Sequence, residues 1–276
     1  VLNVIVATDM SEAGLLGVES VFGCGPTVFG EVTLVHVVDL DLYTAGGSIP
    51  GIIEFSQDRL AQEVARLSEV GITADAVVTQ GDVVDTINRL AEERNADAVL
   101  VTNVGENALA GRVLGTVAER IAVASKVPVF VQRVDLEGEV PSCRIDDRAL
   151  TSRVLVAVDF DEAATQLLSF TAALPGVEAM RVVHVATEAG PLTGLTAAVE
   201  ELEALAARAS LAARADTRVI VTDDAARAIA DEAAAWDATL IAVGVRAHGV
   251  IHRIRHGSVA GEVVRGSDRS VLLVSG

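Results

Sequence analysis

The sequence predicts an α/β protein of two doubly wound domains, each a five-stranded parallel sheet with helices on both faces. Three observations point there. The chain repeats itself, since residues 3–14 (NVIVATDMSEAG) are answered by residues 153–164 (RVLVAVDFDEAA) and further matches follow in the same order. Short runs rich in Val and Ile alternate with longer segments of helical period. The strand runs are almost continuously apolar, as expected where helices cover both faces of a parallel sheet.

In the first copy the strands fall at Val4–Ala7, Leu34–Val38, Ala76–Thr79, Ala98–Thr102 and Val127–Val131, with helices at 12–22, 54–70, 82–95 and 115–125. The second copy places helices near 162–174, 194–214, 225–235 and 257–266. VTLVHVVD (32–39) answers MRVVHVAT (180–187), which pairs His36 with His184. DAVLVTNVG (97–105) answers DATLIAVGV (237–245), and GTVAERIA (115–122) answers GSVAGEVV (257–264). PVFVQRV (128–134) and SVLLVSG (270–276) close the copies. The predicted domains are therefore 1–134 and 153–276, joined by an acidic linker, 135–152, that Gly138 and Pro141 interrupt.

Composition narrows the function. The 276 residues are 51% apolar, 22% charged and 3% aromatic, with a net charge of −18, so a globular chain is expected and disorder is not. That charge repels nucleic-acid phosphate and anionic lipid, which argues against both as partners. It is unevenly spread: −10 over residues 1–134, −3 over the linker and −5 over residues 153–276. Cys24 and Cys143 belong to no metal or disulfide pattern, no apolar run reaches a membrane span, and Val1–Thr8 lacks a basic flank. A cytoplasmic protein is expected. Its single lysine, Lys126, and its wealth of Ala and Val suggest GC-rich coding.

Ligands of open parallel sheets bind beyond the carboxyl ends of the strands, where the winding reverses. Four places qualify in each copy: the carboxylate after strand one (Asp9, Asp159), the end of strand two, the loop after strand four, and the residues opening the last helix (Gly115-Thr116, Gly257-Ser258). Backbone N–H groups at a helix start favour an anion, and glycine lets it approach them.

These residues resemble the universal stress protein family in its tandem form. Nucleotide-binding members carry G-x-x-G, nine residues, then G-S or G-T. The second copy has Gly244, Ala247 and Gly257-Ser258 at that spacing, and the first has Thr102, Gly105 and Gly115-Thr116, so each copy lacks one glycine. Strand one (VATD, VAVD) and strand two (VHV twice) match as well. The resemblance implies an adenine nucleotide, ATP with or without Mg, as a regulatory ligand. It would place Asp9 and the backbone of Val37 near adenine and ribose, with Gly105, Gly115 and Thr116 at the phosphates. In the second domain Asp159, Val185, Gly244, Gly257 and Ser258 take those roles. Family members associate through the last strand, which implies an internal pseudo-dimer, further pairing of chains, and an unidentified protein partner.

Charge ranks the second domain as the better phosphate site. Gly244–Ser258 holds Arg246, Arg253 and Arg255 and no acid, whereas Thr102–Thr116 holds Arg112 balanced by Glu106. His248, His252 and His256 recur at a spacing of four in the same segment, which reads either as a metal or acid-sensing site or as solvated imidazoles on a basic loop. His36 and His184 read as satisfied strand residues. Asp9 and Asp159 have an alternative role as helix caps, a role open also to Ser11 and Asp161. Asp82, Asp85, Glu92, Glu93, Asp223, Asp224, Asp231 and Glu232 fall on helix starts and outer faces. No catalytic triad, P-loop or metal motif is present in the sequence, so any ATP hydrolysis is expected to be slow. The competing expectation is a nucleotide-free scaffold with degenerate sites.

Overall fold

The computed structural model describes residues 1–38, 49–104, 116–135, 142–143, 148–161, 163–186, 192–208, 215–245 and 258–275. It divides into two compact units, Val1–Asp147 and Arg148–Gly276. The first contains β1 (Leu2–Ala7), α1 (Glu12–Cys24), β2 (Phe29–Val38), α2 (Ile49–Glu69), β3 (Thr73–Gln80), α3 (Val83–Glu93), β4 (Ala98–Val104), α4 (Thr116–Ala124), β5 (Val129–Asp135) and the short β6 (Ser142–Cys143). Its parallel strands lie in the order β3-β2-β1-β4-β5. The second contains β7 (Arg153–Ala157), α5 (Ala163–Ala173), β8 (Ala179–Ala186), α6 (Leu192–Arg208), β9 (Ala215–Val221), α7 (Ala225–Ala235), β10 (Leu240–Val245), α8 (Val259–Gly266) and β11 (Ser270–Ser275). Their order, β9-β8-β7-β10-β11, repeats the first.

The winding reverses between β1 and β4, and between β7 and β10. Those central strands are dry on both faces: Val4, Ile5, Val6, Ala98, Val99 and Leu100 are fully buried, as are Val154, Leu155, Val156, Leu240, Ile241 and Ala242. Branched side chains suit a pleated, doubly covered strand. Desolvating them drives the packing of helices onto each sheet.

Strand pairing corrects one equivalence. Val4 pairs with Ala98 and Val154 pairs with Leu240, so residues of β4 match residues of β10 at an offset of 142. The string match DAVLVTNVG to DATLIAVGV equates Asp97 with Asp237 and is two residues out of register. The residue that coincides with Asp237 is Asn95; both are left-handed, at φ 58° and 50°. Asp and Asn tolerate that conformation better than most residues. In the structural register Thr102 corresponds to Gly244, which is the equivalence the glycine spacing implies.

Two further departures are local. The α2 helix starts at Ile49, five residues before the expected 54, with Pro50 and Gly51 inside its first turn. A first-turn N–H has no helical partner, so Pro50 costs little there. The segment expected as a surface linker is packed at its described parts. Ser142–Cys143 pair antiparallel with Val134 and Asp135, while Leu150, Thr151 and Ser152 are buried in the second unit. There the Thr151 hydroxyl donates to the Pro175 carbonyl (2.6 Å), and the Ser152 carbonyl accepts from the N–H groups of Glu178 and Ala179.

Helix starts are capped as the sequence chemistry requires. Asp82 caps α3, accepting from Val84 N (2.9 Å) and Asp85 N (3.0 Å), and receives Arg120 of α4 at 2.6 Å. The Asp85 N–H and then the Arg120 guanidinium hold the Asp82 carboxyl below the usual carboxylate value. A pKa lowered by folding contributes stability above the unfolded value, roughly pH 4, and loses it as pH falls through the folded value. D82N keeps the cap and loses the charge, so its stability should fall less than that of the wild type below about pH 4. D82A should cost about 1 kcal/mol at neutral pH. Urea titrations from acid to neutral pH check both.

Candidate functional site

At the carboxyl ends of the central strands the winding reverses in each unit, the place where open parallel sheets leave a crevice. In the first, the Thr8 N–H donates to the Val35 carbonyl (2.9 Å), and the Gly81 N–H donates to the Val38 carbonyl (3.3 Å) on the opposite side of β2. Peptide groups of successive strand residues point to alternate sides. Val37 therefore presents its N–H and C=O towards β1, beyond the point where β1 has ended. The second unit repeats this: Val158 N–H donates to Val183 C=O (2.9 Å) and Thr222 N–H to Ala186 C=O (2.9 Å), which turns Val185 towards the end of β7. Each crevice thus offers one backbone donor and one acceptor beside an exposed aspartate.

Those aspartates are not the helix caps. Ser11 caps α1, its Oγ accepting from Gly14 N at 3.0 Å, and Asp161 Oδ1 accepts from Ala164 N (3.2 Å) at the start of α5. Asp9 Oδ1 instead accepts from the Ser11 N–H (3.0 Å) and hydroxyl (2.5 Å). It lies over Gly14, where an added Cβ would collide with it and come within 2.7 Å of Thr8 Oγ1. The second unit has Ala164 at that position, and Asp159 Oδ1 accepts from Phe160 N at 3.1 Å. The two carboxylates are therefore set differently by one methyl group.

His36 Nδ1 lies 2.9 Å from the Thr8 carbonyl, and His184 Nδ1 lies 3.0 Å from the Val158 carbonyl. A carbonyl only accepts, so each Nδ1 carries the proton. Both imidazoles tie adjacent strand ends together, which matches their reading as satisfied strand residues. The Phe160 ring rests on His184 with centroids 4.1 Å apart. Sequence reasoning missed this aromatic shelf, whose signal is a Phe where the first copy has Met10.

The fourth strand separates the two sites most clearly. A Cβ built on Gly17 of α1 would sit 3.0 Å from the Thr102 methyl group and 3.2 Å from Leu100 Cδ2. The helix approaches closely there because Gly17 makes room. At the equivalent positions of the second unit are Leu167, Ala242 and Gly244, with the bulk moved from strand to helix. Gly244 is exposed, and a Cβ added to it would meet nothing within 4 Å among the described residues.

At the last helix, Ser258 caps α8, its Oγ accepting from Gly261 N at 3.1 Å, and its own proton is left to donate. Thr116 is the first residue of α4. Gly105, Gly115 and Gly257 lie outside the described residues. So do Ala247, Arg112, Glu106, the arginines at 246, 253 and 255, and the histidines at 248, 252 and 256. No group of three metal-ligating side chains occurs among the described residues, and no helix among them is long and apolar enough to cross a membrane. A separate open groove of about 540 Å³ lies between β9 and α7, lined in part by Arg218, Arg227, Asp231 and Glu232. Its arginines pair with its acids, Arg218 with Glu232 at 2.9 Å and Arg227 with Asp231 at 3.6 Å, so it offers an anion little.

Known proteins resemble this chain. A universal stress protein of Methanocaldococcus jannaschii is 26% identical over 136 residues, 47% of this chain and 80% of that one. A universal stress protein structure from Archaeoglobus fulgidus matches with a TM-score of 0.75 at 23% identity, over 99% of this chain and 96% of that one. Another from Archaeoglobus fulgidus, solved in complex with dAMP, is 25% identical over 44% of this chain and 96% of its own, with a TM-score of 0.36. The pattern of the Universal stress protein family fits residues 2–133 and again residues 151–275. The chain therefore belongs to the universal stress protein family, with two copies of its domain in tandem.

Proposed function

We propose that the chain is a cytoplasmic stress-response protein that binds ATP or a related adenine nucleotide as a regulatory ligand, more tightly in its second domain. The observation that carries this reading is the space that the described residues leave open over Gly244, at the strand end where the winding reverses. The equivalent space in the first domain is filled by the Thr102 methyl group against α1. The reading assigns to that opening the Asp159 carboxylate, the backbone of Val185 and the hydroxyl of Ser258 at the start of α8.

This set fits a nucleotide chemically. A carboxylate accepts from ribose hydroxyls, and an exposed peptide edge pairs with the donor and acceptor edge of adenine. A helix start with a hydroxyl at its cap receives phosphate. Magnesium, when bound, would neutralise phosphate charge. In this reading occupancy rather than turnover is the signal.

Filling the opening tests the reading. Gly244→Val adds a side chain where none meets it and should leave the melting temperature unchanged, because valine suits a strand better than glycine. It should raise the dissociation constant for ATP at the stronger site by about tenfold or more, the cost of obstructing one good contact. Unchanged affinity in G244V would remove Gly244 from the site. A nucleotide-free scaffold would show no ATP response in either protein.

A further inference from the structure

Asn103 is the least explained side chain near either crevice. It lies at the carboxyl end of β4, is only 4% exposed, and its Oδ1 is buried with no hydrogen-bond partner. Leaving a buried acceptor unpaired is costly, and most buried polar groups avoid it. The second domain has Val245 at this position, so the amide is not a requirement of the fold.

Its placement follows from strand alternation. Leu100 and Thr102 project to the α1 face, because they are the side chains nearest Gly17. Val101 and Asn103 therefore project to the other face, where α3 packs against α4. Helices in a right-handed parallel crossover run against the strands, so α4, nine residues from Thr116, begins at the same end of the sheet as Asn103. An unpaired acceptor thus stands at the end of the sheet where a helix start favours an anion.

We propose that Asn103 is a specificity-determining residue of the first-domain site, its Oδ1 accepting a hydrogen bond from a hydroxyl group of a phosphorylated ligand. In a nucleotide the group next to the phosphate is the ribose, so the donor is a ribose hydroxyl. This rests on the nucleotide reading above. A site that holds an unpaired acceptor for a hydroxyl discriminates against the analogue that lacks it, since that analogue leaves the acceptor buried and unmet. The Val245 position in the second domain carries no such demand. Both sites then meet the sugar through their aspartates, and the first adds a second, buried acceptor.

The test uses the full chain with the second site obstructed by G244V, titrated with AMP and with 2′,3′-dideoxy-AMP. The expected result is a preference for AMP in G244V that falls about tenfold in G244V/N103V. Unliganded N103V should also melt at a higher temperature than the wild type, because the orphaned acceptor is gone. Equal binding of the two ligands in G244V, or a preference that N103V leaves undiminished, would overturn the proposal. AMP binding by the wild type that vanishes wholly in G244V would overturn it while leaving the second-domain reading intact. No AMP or ATP binding by the wild type would defeat both.

Discussion

Replacing Arg181 with methionine is expected to destabilise the second domain by about 3 kcal/mol. Arg181 donates to Glu232 Oε1 at 2.6 Å and to Asp216, and its guanidinium lies 5.0 Å from the centroid of Trp236, whose ring also has Arg153 at 4.4 Å. The Glu232 side chain is 7% exposed, and Arg181 is 18% exposed. Without Arg181 that carboxylate keeps, among the described residues, only Arg218, a side chain 56% exposed. A buried charge stripped of its main partner costs far more than the pair contributes when intact. The double variant R181M/E232L should therefore recover much of the loss, since it removes the charge along with its partner. Denaturant titrations of the two variants decide the matter, and additive losses would show that the pair is not coupled.

The second large effect is expected at the centre of the same sheet. Leu155 is fully buried on β7, between Ile241 of β10 and Arg181 of β8 in register. Leu155→Ala removes its branched end from a site whose neighbours are themselves fixed by strand pairing. The surrounding structure collapses little into such a gap, so a loss of about 3–4 kcal/mol is expected. Val199→Ala, on an outer face of α6 and 40% exposed, should change stability by less than about 0.5 kcal/mol. Thermal or urea unfolding of both variants provides the contrast.

Strand and helix order was legible in the sequence because burial on both faces writes itself as apolar runs, and amphipathic helices write themselves between them. The offset between β4 and β10 was legible only in part. The shared string Asp-Ala at 97–98 and 237–238 matches letters, whereas Asn95 and Asp237 share a left-handed backbone that letters do not display. The glycine spacing carried the true register because it reflects where backbone must leave room. Pro50 and Gly51 obscured the start of α2, since breakers in a first turn look like breakers anywhere. The two-residue β6 has no periodicity to read.

At the candidate site, strand ends alone pointed to Asp9 and Asp159, while Val37 and Val185 came from the resemblance to the universal stress protein family. Three features were not legible. Gly14 and Ala164 look interchangeable in a helix, yet one methyl group decides how the neighbouring carboxylate lies. Gly17 makes room for Thr102 across a helix–strand contact that joins residues far apart in the chain, whereas Leu167 leaves Gly244 clear. Asn103 is one polar letter at the end of a strand, and only its burial without a partner distinguishes it.

The central claim is that the second-domain crevice holds an adenine nucleotide. Calorimetric titration of the full wild-type chain with Mg-ATP tests it most directly. Saturable binding dominated by one stronger site, with a melting temperature that rises with ligand concentration, is the expected result. No heat of binding and no shift in melting temperature, together with no adenine nucleotide released when the purified protein is denatured, would contradict it.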